Sequence, residues 1–219
     1  MKREIIITSD GSTTIHLPDW NEHYHSKHGA IQEAYHVFIK SGLALQNKSE
    51  ISILEIGFGT GLNCFITFLE SDKTVNYVGV EAYPVVSGEV AKLNYVAELK
   101  VTSKQAVFDK MHSLSWEDKH EITKDFYLTK RQQFFKDIED EEAFDLVYFD
   151  AFGAEHQPDL WTEDIFKRMF EALKENGILV TYSAKGSVRR AMQAVGFTVV
   201  RLPGPPGKRE MLRATKPTN

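Results

Sequence analysis

The sequence predicts an α/β fold, a mostly parallel sheet covered by helices on both faces and closed by an antiparallel hairpin. From residue 51 onward, short apolar runs alternate with stretches of helical period, the pattern of successive βαβ units. At the far end, FTVVRLPG and REMLRAT are separated by only a few residues rich in Pro and Gly. A parallel crossover needs a dozen residues or more, so this last pair reads as a hairpin. Together these observations point to one branch of the Rossmann-like folds.

Residues 3–17 hold two β-rich runs, REIIIT and STTIHL, around an Asp10-Gly11 turn, a hairpin signal. Residues 29–44 place Ile31, Tyr35, Phe38 and Ile39 on one helical face, with Gly42 near the stop. Residues 1–44 are thus expected to form an N-terminal extension, and residues 45–219 the main domain. There ISILEIGFG is a strand, LNCFITFLES a helix, VNYVGVEAY a strand and VSGEVAKLNYVAEL a helix. Residues 99–125 are polar and weakly periodic and read as a short helix and a surface loop. Strands follow in FYLTKRQ and FDLVYFDAF, a helix in TEDIFKRMFEALKE, a strand in GILVTYSA and a helix in SVRRAMQAVG, before the closing hairpin.

Composition narrows the function classes. The chain has 219 residues, 42% hydrophobic and 26% charged, as in an ordinary globular protein. No apolar stretch approaches the ~20 residues that cross a bilayer, and MKREIIITSDGS is a poor signal peptide, so a cytoplasmic protein without a membrane partner is expected. One cysteine, Cys64, leaves no intrachain disulfide and no cysteine-rich zinc site. His23, His25 and His28 lack an acid or thiol to complete a metal set, so no metal is expected. Net charge is −5, which speaks against nucleic acid. From Lys185 onward, however, eight basic residues face one acid, so this end carries +7 and the rest −12. It is either a solvated basic edge or a landing strip for phosphates.

Three places carry candidate chemistry. In LEIGFGTGLN, Gly57, Gly59 and Gly61 let the backbone turn at a strand exit and approach a ligand, while the next helix offers unpaired N–H groups. The spacing departs from Gly-x-Gly-x-x-Gly, with Leu62 at the third position, which suits a ligand without a pyrophosphate. Glu81 closes the next strand and can accept hydrogen bonds from both ribose hydroxyls of a nucleoside. Asp150 and Phe152 end the apolar run FDLVYF, at the strand edge where open α/β sheets bind ligands.

The glycine loop, the strand-end acid and the terminal hairpin resemble the class I S-adenosylmethionine-dependent methyltransferases over about residues 45–215. That resemblance implies a seven-stranded sheet with an antiparallel last strand. YHSKHGAIQEAYHVFI, EIGFGTGLN, DAFGAEHQPDLW and the closing GPPGKREMLRA are similar to the methyltransferase part of MnmC, the bacterial tRNA enzyme that completes 5-methylaminomethyl-(2-thio)uridine at the wobble position. The resemblance implies methyl transfer from S-adenosylmethionine to the amine of an aminomethyluridine in a tRNA anticodon stem-loop. It further implies a form without the FAD-dependent oxidase, using no FAD and depending on another tRNA-modifying enzyme upstream. The implied cofactor contacts are Glu55, Gly57, Phe58, Gly59, Gly61 and Asn63 in the loop, Glu81 at the ribose, and Tyr24 and Glu33 in an N-terminal lid. Many such enzymes carry an acid for adenine after the third strand; Lys130, Arg131 and Gln132 stand there, and Gln132 is the substitute. Asp150 would orient the amine or receive its proton as well as meet the cofactor, and Phe152 would stack on the uracil or wall the pocket. The rival readings are a transferase acting on a small polyamine and a non-catalytic S-adenosylmethionine-binding module.

Overall fold

A computed structural model describes residues 2–218. The N-terminal runs form β1 (Glu4–Ile7) and β2 (Thr13–Leu17), antiparallel as expected, and a two-residue β3 (Glu22–His23) extends them to a three-stranded sheet. The turn works because Gly11 adopts φ 88° and the Asp10 carboxylate accepts the Ser12 N–H. Asp10 also accepts the Gln32 N–H at 3.0 Å, capping α1 (Ala30–Ala34) from outside the helix. Tyr35–Lys40 continue as one widened π turn that seats Val37 and Phe38 in the main core.

The main sheet follows the predicted alternation. Its elements are β4 (Glu50–Ile56), α2 (Leu62–Glu70), β5 (Thr74–Val80), α3 (Ser87–Val90), α4 (Tyr95–Glu98), α5 (Gln105–Ser113), β6 (Lys119–Thr123), β7 (Phe126–Arg131) and β8 (Phe144–Phe149). Then come α6 (Glu163–Ala172), β9 (Leu173–Thr181), α7 (Gly186–Ala194), β10 (Thr198–Pro203) and β11 (Glu210–Thr215). The order across the sheet is β10-β11-β9-β8-β4-β5-β7-β6. The five central strands are parallel, and β10 and β11 form the expected antiparallel pair.

The sequence expectation needs three corrections. The single helix expected over VSGEVAKLNYVAEL is two short ones, α3 and α4, parted by a turn at residues 91–94. Residues 99–125 are more than a short helix and loop: β6 pairs antiparallel with β7 and adds an eighth strand to the seven expected. Its pattern is faint because an edge strand buries one face only, here chiefly through Ile122. The helix expected over TEDIFKRMFEALKE stops at Ala172, and Leu173 opens β9 opposite Phe144. Helical spacing runs on through Leu173, but its side chain is fully buried against the sheet. A register shift with Asn176 at φ 61° then feeds the strand proper.

The core lies on both faces of the sheet. In β8 every residue is buried, Leu146 and Tyr148 on one side, Val147 and Phe149 on the other. The exception in chemistry is Asp145, 4% exposed. Burial alone would raise its pKa, yet Lys48, Lys174 and the Ser52 N–H hold it below the usual carboxylate range. It sits at the opposite strand end from the site.

Candidate active site

The C-terminal ends of β4, β5, β7 and β8 open into one cavity of about 760 Å³. The glycine loop makes its floor. Gly57, Gly59 and Gly61 have φ of 88°, 48° and 71°, all in the region side chains avoid. The N–H groups of Gly57 and Phe58 both donate to the Val80 carbonyl at 3.0 Å, which ties the loop to the end of β5. A Cβ on Gly57 would lie 2.6 Å from the Asp150 carbonyl oxygen, so close packing of loop and β8 exit requires glycine there.

Glu81 lies one residue beyond β5 and lines the cavity. Its carboxylate accepts the Gly59 N–H at 3.1 Å and the Tyr83 N–H at 2.9 Å, leaving lone pairs free for further donors. Asp150 stands across from it at the end of β8. Asn63, at the start of α2, donates to Asp150 at 2.9 Å and to Glu55 at 3.0 Å, so one amide bridges two carboxyls. Burial raises the Asp150 pKa to about 7, Glu33 pushes the same way, and Asn63 and Lys208 pull it down. Burial also drives the Glu55 pKa well above the usual carboxylate range, which favours its neutral acid form.

Phe152 presents its ring to the cavity between Tyr24 (centroids 4.9 Å, interplanar 90°) and Trp20 (6.1 Å, 88°). Trp161 donates its indole N–H to the Phe152 carbonyl at 2.7 Å and packs on Phe149, fixing the loop that carries both candidate residues. Tyr24 and His25 come from the N-terminal segment and roof the cavity. His25 reaches Thr14 at 3.1 Å and Thr60 of the glycine loop at 3.4 Å. Burial lowers its pKa to about 4, so it joins sheet to loop as a neutral imidazole. Among the described residues no group of three His, Cys, Asp or Glu is placed to hold a metal, and no helix is long and apolar enough to cross a membrane.

The cavity therefore gathers Tyr24, Gly57, Phe58, Gly59, Asn63, Glu81, Asp150 and Phe152 from the sequence candidates. Four others stand elsewhere. Gly61 turns the chain into α2, and Glu55 lies behind Asn63. Glu33 does not reach the wall: its carboxylate is committed to the Ser26 N–H and to Lys208. Gln132 is exposed outside the cavity, where its N–H donates to Glu117. That stretch of wall comes from Phe134, Phe135 and Lys136 instead. Lys130, whose side chain faces inward from β7, and Arg131, paired with Asp140, are also spent on structure.

Sequence reasoning missed Arg3, Trp20, Tyr83 and the Phe134-Phe135 pair. The paired aromatics directly after a strand exit were a usable signal, as was a Trp in a polar turn. Arg3 had none, since it reaches the Tyr83 carbonyl (2.9 Å) and Glu89 (3.0 Å) across some eighty residues of chain.

Comparison with known proteins assigns a class to this geometry. Residues 92–217, more than half of the chain, match the family described as S-adenosyl-L-methionine-dependent methyltransferase. The chain belongs to that family. This methyltransferase is also 27% identical, over 92% of its length, to the tRNA 5-methylaminomethyl-2-thiouridine biosynthesis bifunctional protein MnmC of Acidovorax sp. (strain JS42). It is 30% identical, over 95% of its length, to the protein of the same name from Cupriavidus metallidurans. The methyltransferase spans about a third of these curated relatives, 34% and 33% respectively. Among solved structures, MnmC2 from Aquifex aeolicus shares its fold with TM-score 0.73 and 24% identity, covering all of this chain and 73% of that one. Spermidine synthase from Thermotoga maritima also shares the fold, with TM-score 0.57 and 16% identity over all of this chain and 73% of that one.

The residues present fit the donor that the family uses. The glycine floor brings the backbone close, an acid at the β5 exit matches a ribose, and the volume lies within the range for cofactor sites.

Proposed function

We propose that this protein methylates the primary amine of 5-aminomethyl(-2-thio)uridine at the wobble position of tRNA. The observation that carries the reading is Asp150, a carboxyl poised near neutrality beside an aromatic wall of Phe152, Tyr24 and Trp20. The similarity to proteins named for tRNA 5-methylaminomethyl-2-thiouridine biosynthesis supports the choice of amine.

When bound, S-adenosylmethionine supplies a methyl group on a positively charged sulfur, which an amine displaces in line to leave the neutral thioether. Gly57, Phe58, Gly59, Glu81 and Asn63 would hold it along the floor, and Tyr24 would cover it. Asp150 does the chain's own chemistry. An amine attacks only as the free base, and the methylated nitrogen must shed a proton. A carboxylate with pKa near 7 accepts that proton at working pH and also orients the N–H bonds. Phe152 gives an extruded pyrimidine a face to stack on, with Trp20 closing the slot. The reading needs no metal ligand and no flavin, and the aminomethyl group would come from another tRNA-modifying enzyme.

The test is transfer of radiolabel from S-adenosylmethionine to tRNA bearing 5-aminomethyluridine, followed by nucleoside analysis. Label in 5-methylaminomethyluridine, lost in Asp150→Ala while S-adenosylmethionine binding persists, is the expected result. Label in spermidine with none in tRNA overturns the reading in favour of a polyamine substrate. Binding of the donor without transfer to either amine marks a non-catalytic module.

A further inference from the structure

Lys208 lies in the turn between β10 and β11, within the basic C-terminal segment, yet its side chain points inward. Its Nζ donates to Glu33 Oε1 and stands 3.8 Å from the centre of the Tyr182 ring. The Tyr182 hydroxyl donates to the carbonyl of Ala151, the residue after Asp150, at 2.8 Å. The other Glu33 oxygen accepts the Ser26 N–H at 2.8 Å, two residues beyond Tyr24. One ammonium thus joins the segment that roofs the site, helix α1 and the loop that carries Asp150.

Neither Lys208 nor Glu33 lines the cavity, and Glu33 is 7% exposed. The Glu33 carboxylate is desolvated while the Lys208 side chain stays 32% exposed, so the cost of burying the acid offsets much of what the pair contributes as a fastener. The groups facing Asp150 show what else it does. Asn63 is a neutral amide, burial pushes Glu55 toward its neutral acid, and burial and Asp150 itself hold the Tyr182 phenol toward its protonated form. The fixed charges that act on Asp150 are those of Glu33 and Lys208.

We propose that Lys208 and Glu33 are a positioning pair for Asp150, anchoring its loop through Tyr182 and balancing the charge around the carboxylate that receives the amine proton. The pair rests on the reading of Asp150 given above. Without the Lys208 charge, Glu33 repels the Asp150 carboxylate unopposed, and Asp150 keeps its proton to higher pH. Without the Glu33 charge, Lys208 acts alone and Asp150 ionises at lower pH.

The experiment follows Asp150 in the full-length protein by carbon NMR of labelled aspartate carboxyls, assigned with Asp150→Asn. In parallel, kcat/KM is measured against pH on an anticodon stem-loop carrying 5-aminomethyluridine. Lys208→Met should move the Asp150 titration and the acid limb upward by about one pH unit, and Glu33→Gln should move both down by about as much. Lys208→Arg, which keeps the charge, should stay near wild type. Shifts in the same direction, or lost activity with no shift, overturn the proposal, since damage to packing has no reason to change sign with charge. If Lys208→Met fails to fold, Glu33→Gln and Lys208→Arg still decide through the NMR titration. Wild-type inertness toward the amine together with opposite NMR shifts would sink the reaction and spare the pair. Activity with an unmoved Asp150 would do the reverse.

Discussion

At Asp150 the same burial that suits catalysis works against stability. Its pKa rises from 3.8 to about 7 on folding, so between those values the folded state binds the extra proton. The contribution is complete below the unfolded pKa and is lost as pH rises through 7. Asp150→Asn should therefore raise the melting temperature at pH 8 by roughly 3–6 °C relative to wild type, with little gain at pH 4. The same variant should lose about 10²–10⁴-fold in methyl transfer. Calorimetry at the two pH values checks the first statement, and a variant less stable than wild type at pH 8 would contradict it. For the wild type, kcat/KM should fall tenfold per unit below about pH 7 as Asp150 becomes protonated. Asp150 and Phe152 were legible in the sequence because a strand exit in an open sheet is a fixed place for ligands. Glu33 and Gln132 show the limit, since spacing cannot say whether a carboxylate or amide turns toward a cavity or toward a backbone N–H of its own fold.

Among the elements, the β4–α2 loop and strand β8 are packed as one unit. Gly57→Ala combines a positive φ with a Cβ 2.6 Å from the Asp150 carbonyl oxygen. It should cost about 2 kcal/mol or more in stability and displace Asp150, abolishing transfer even where the protein still folds. Denaturant unfolding and donor binding measure the two effects separately. At the other end of β8, Asp145 is held by Lys48, Lys174 and the Ser52 N–H. Its folded pKa is depressed, so its stabilisation is present above pH 4 and is lost as pH falls through the folded value. Asp145→Asn should cost about 1–3 kcal/mol at pH 7, and the difference from wild type should shrink in acid. The main strands were readable from their apolar runs, whereas β6 was not, because an edge strand with one buried face leaves little pattern.

Taken as a whole, the molecule is acidic, and much of its basic C-terminal segment is already engaged. Lys185 pairs with Glu155, Lys208 with Glu33 and Arg201 with Glu210, and Lys216 is buried against the Leu173 carbonyl. Arg190 and Arg209 remain exposed. Under the proposed function, tRNA contact should neutralise only about two or three phosphates, so affinity should fall roughly 10- to 40-fold between 50 and 200 mM salt. Fluorescence anisotropy with an anticodon stem-loop gives the slope, and a loss beyond a thousandfold would mean a broad basic face instead. Local pattern was enough to determine every strand of the main sheet but β6, the closing hairpin, the glycine loop and the acids at the strand exits, because periodicity and turn chemistry act over a few residues. The roof of the cavity was decided only by tertiary packing. Arg3, Trp20 and Tyr24 meet Tyr83 and Phe152 after the N-terminal sheet docks on loops far away in the chain. So was the fate of the charges, because whether a lysine meets phosphate or a buried glutamate depends on which loops the fold brings within hydrogen-bonding reach.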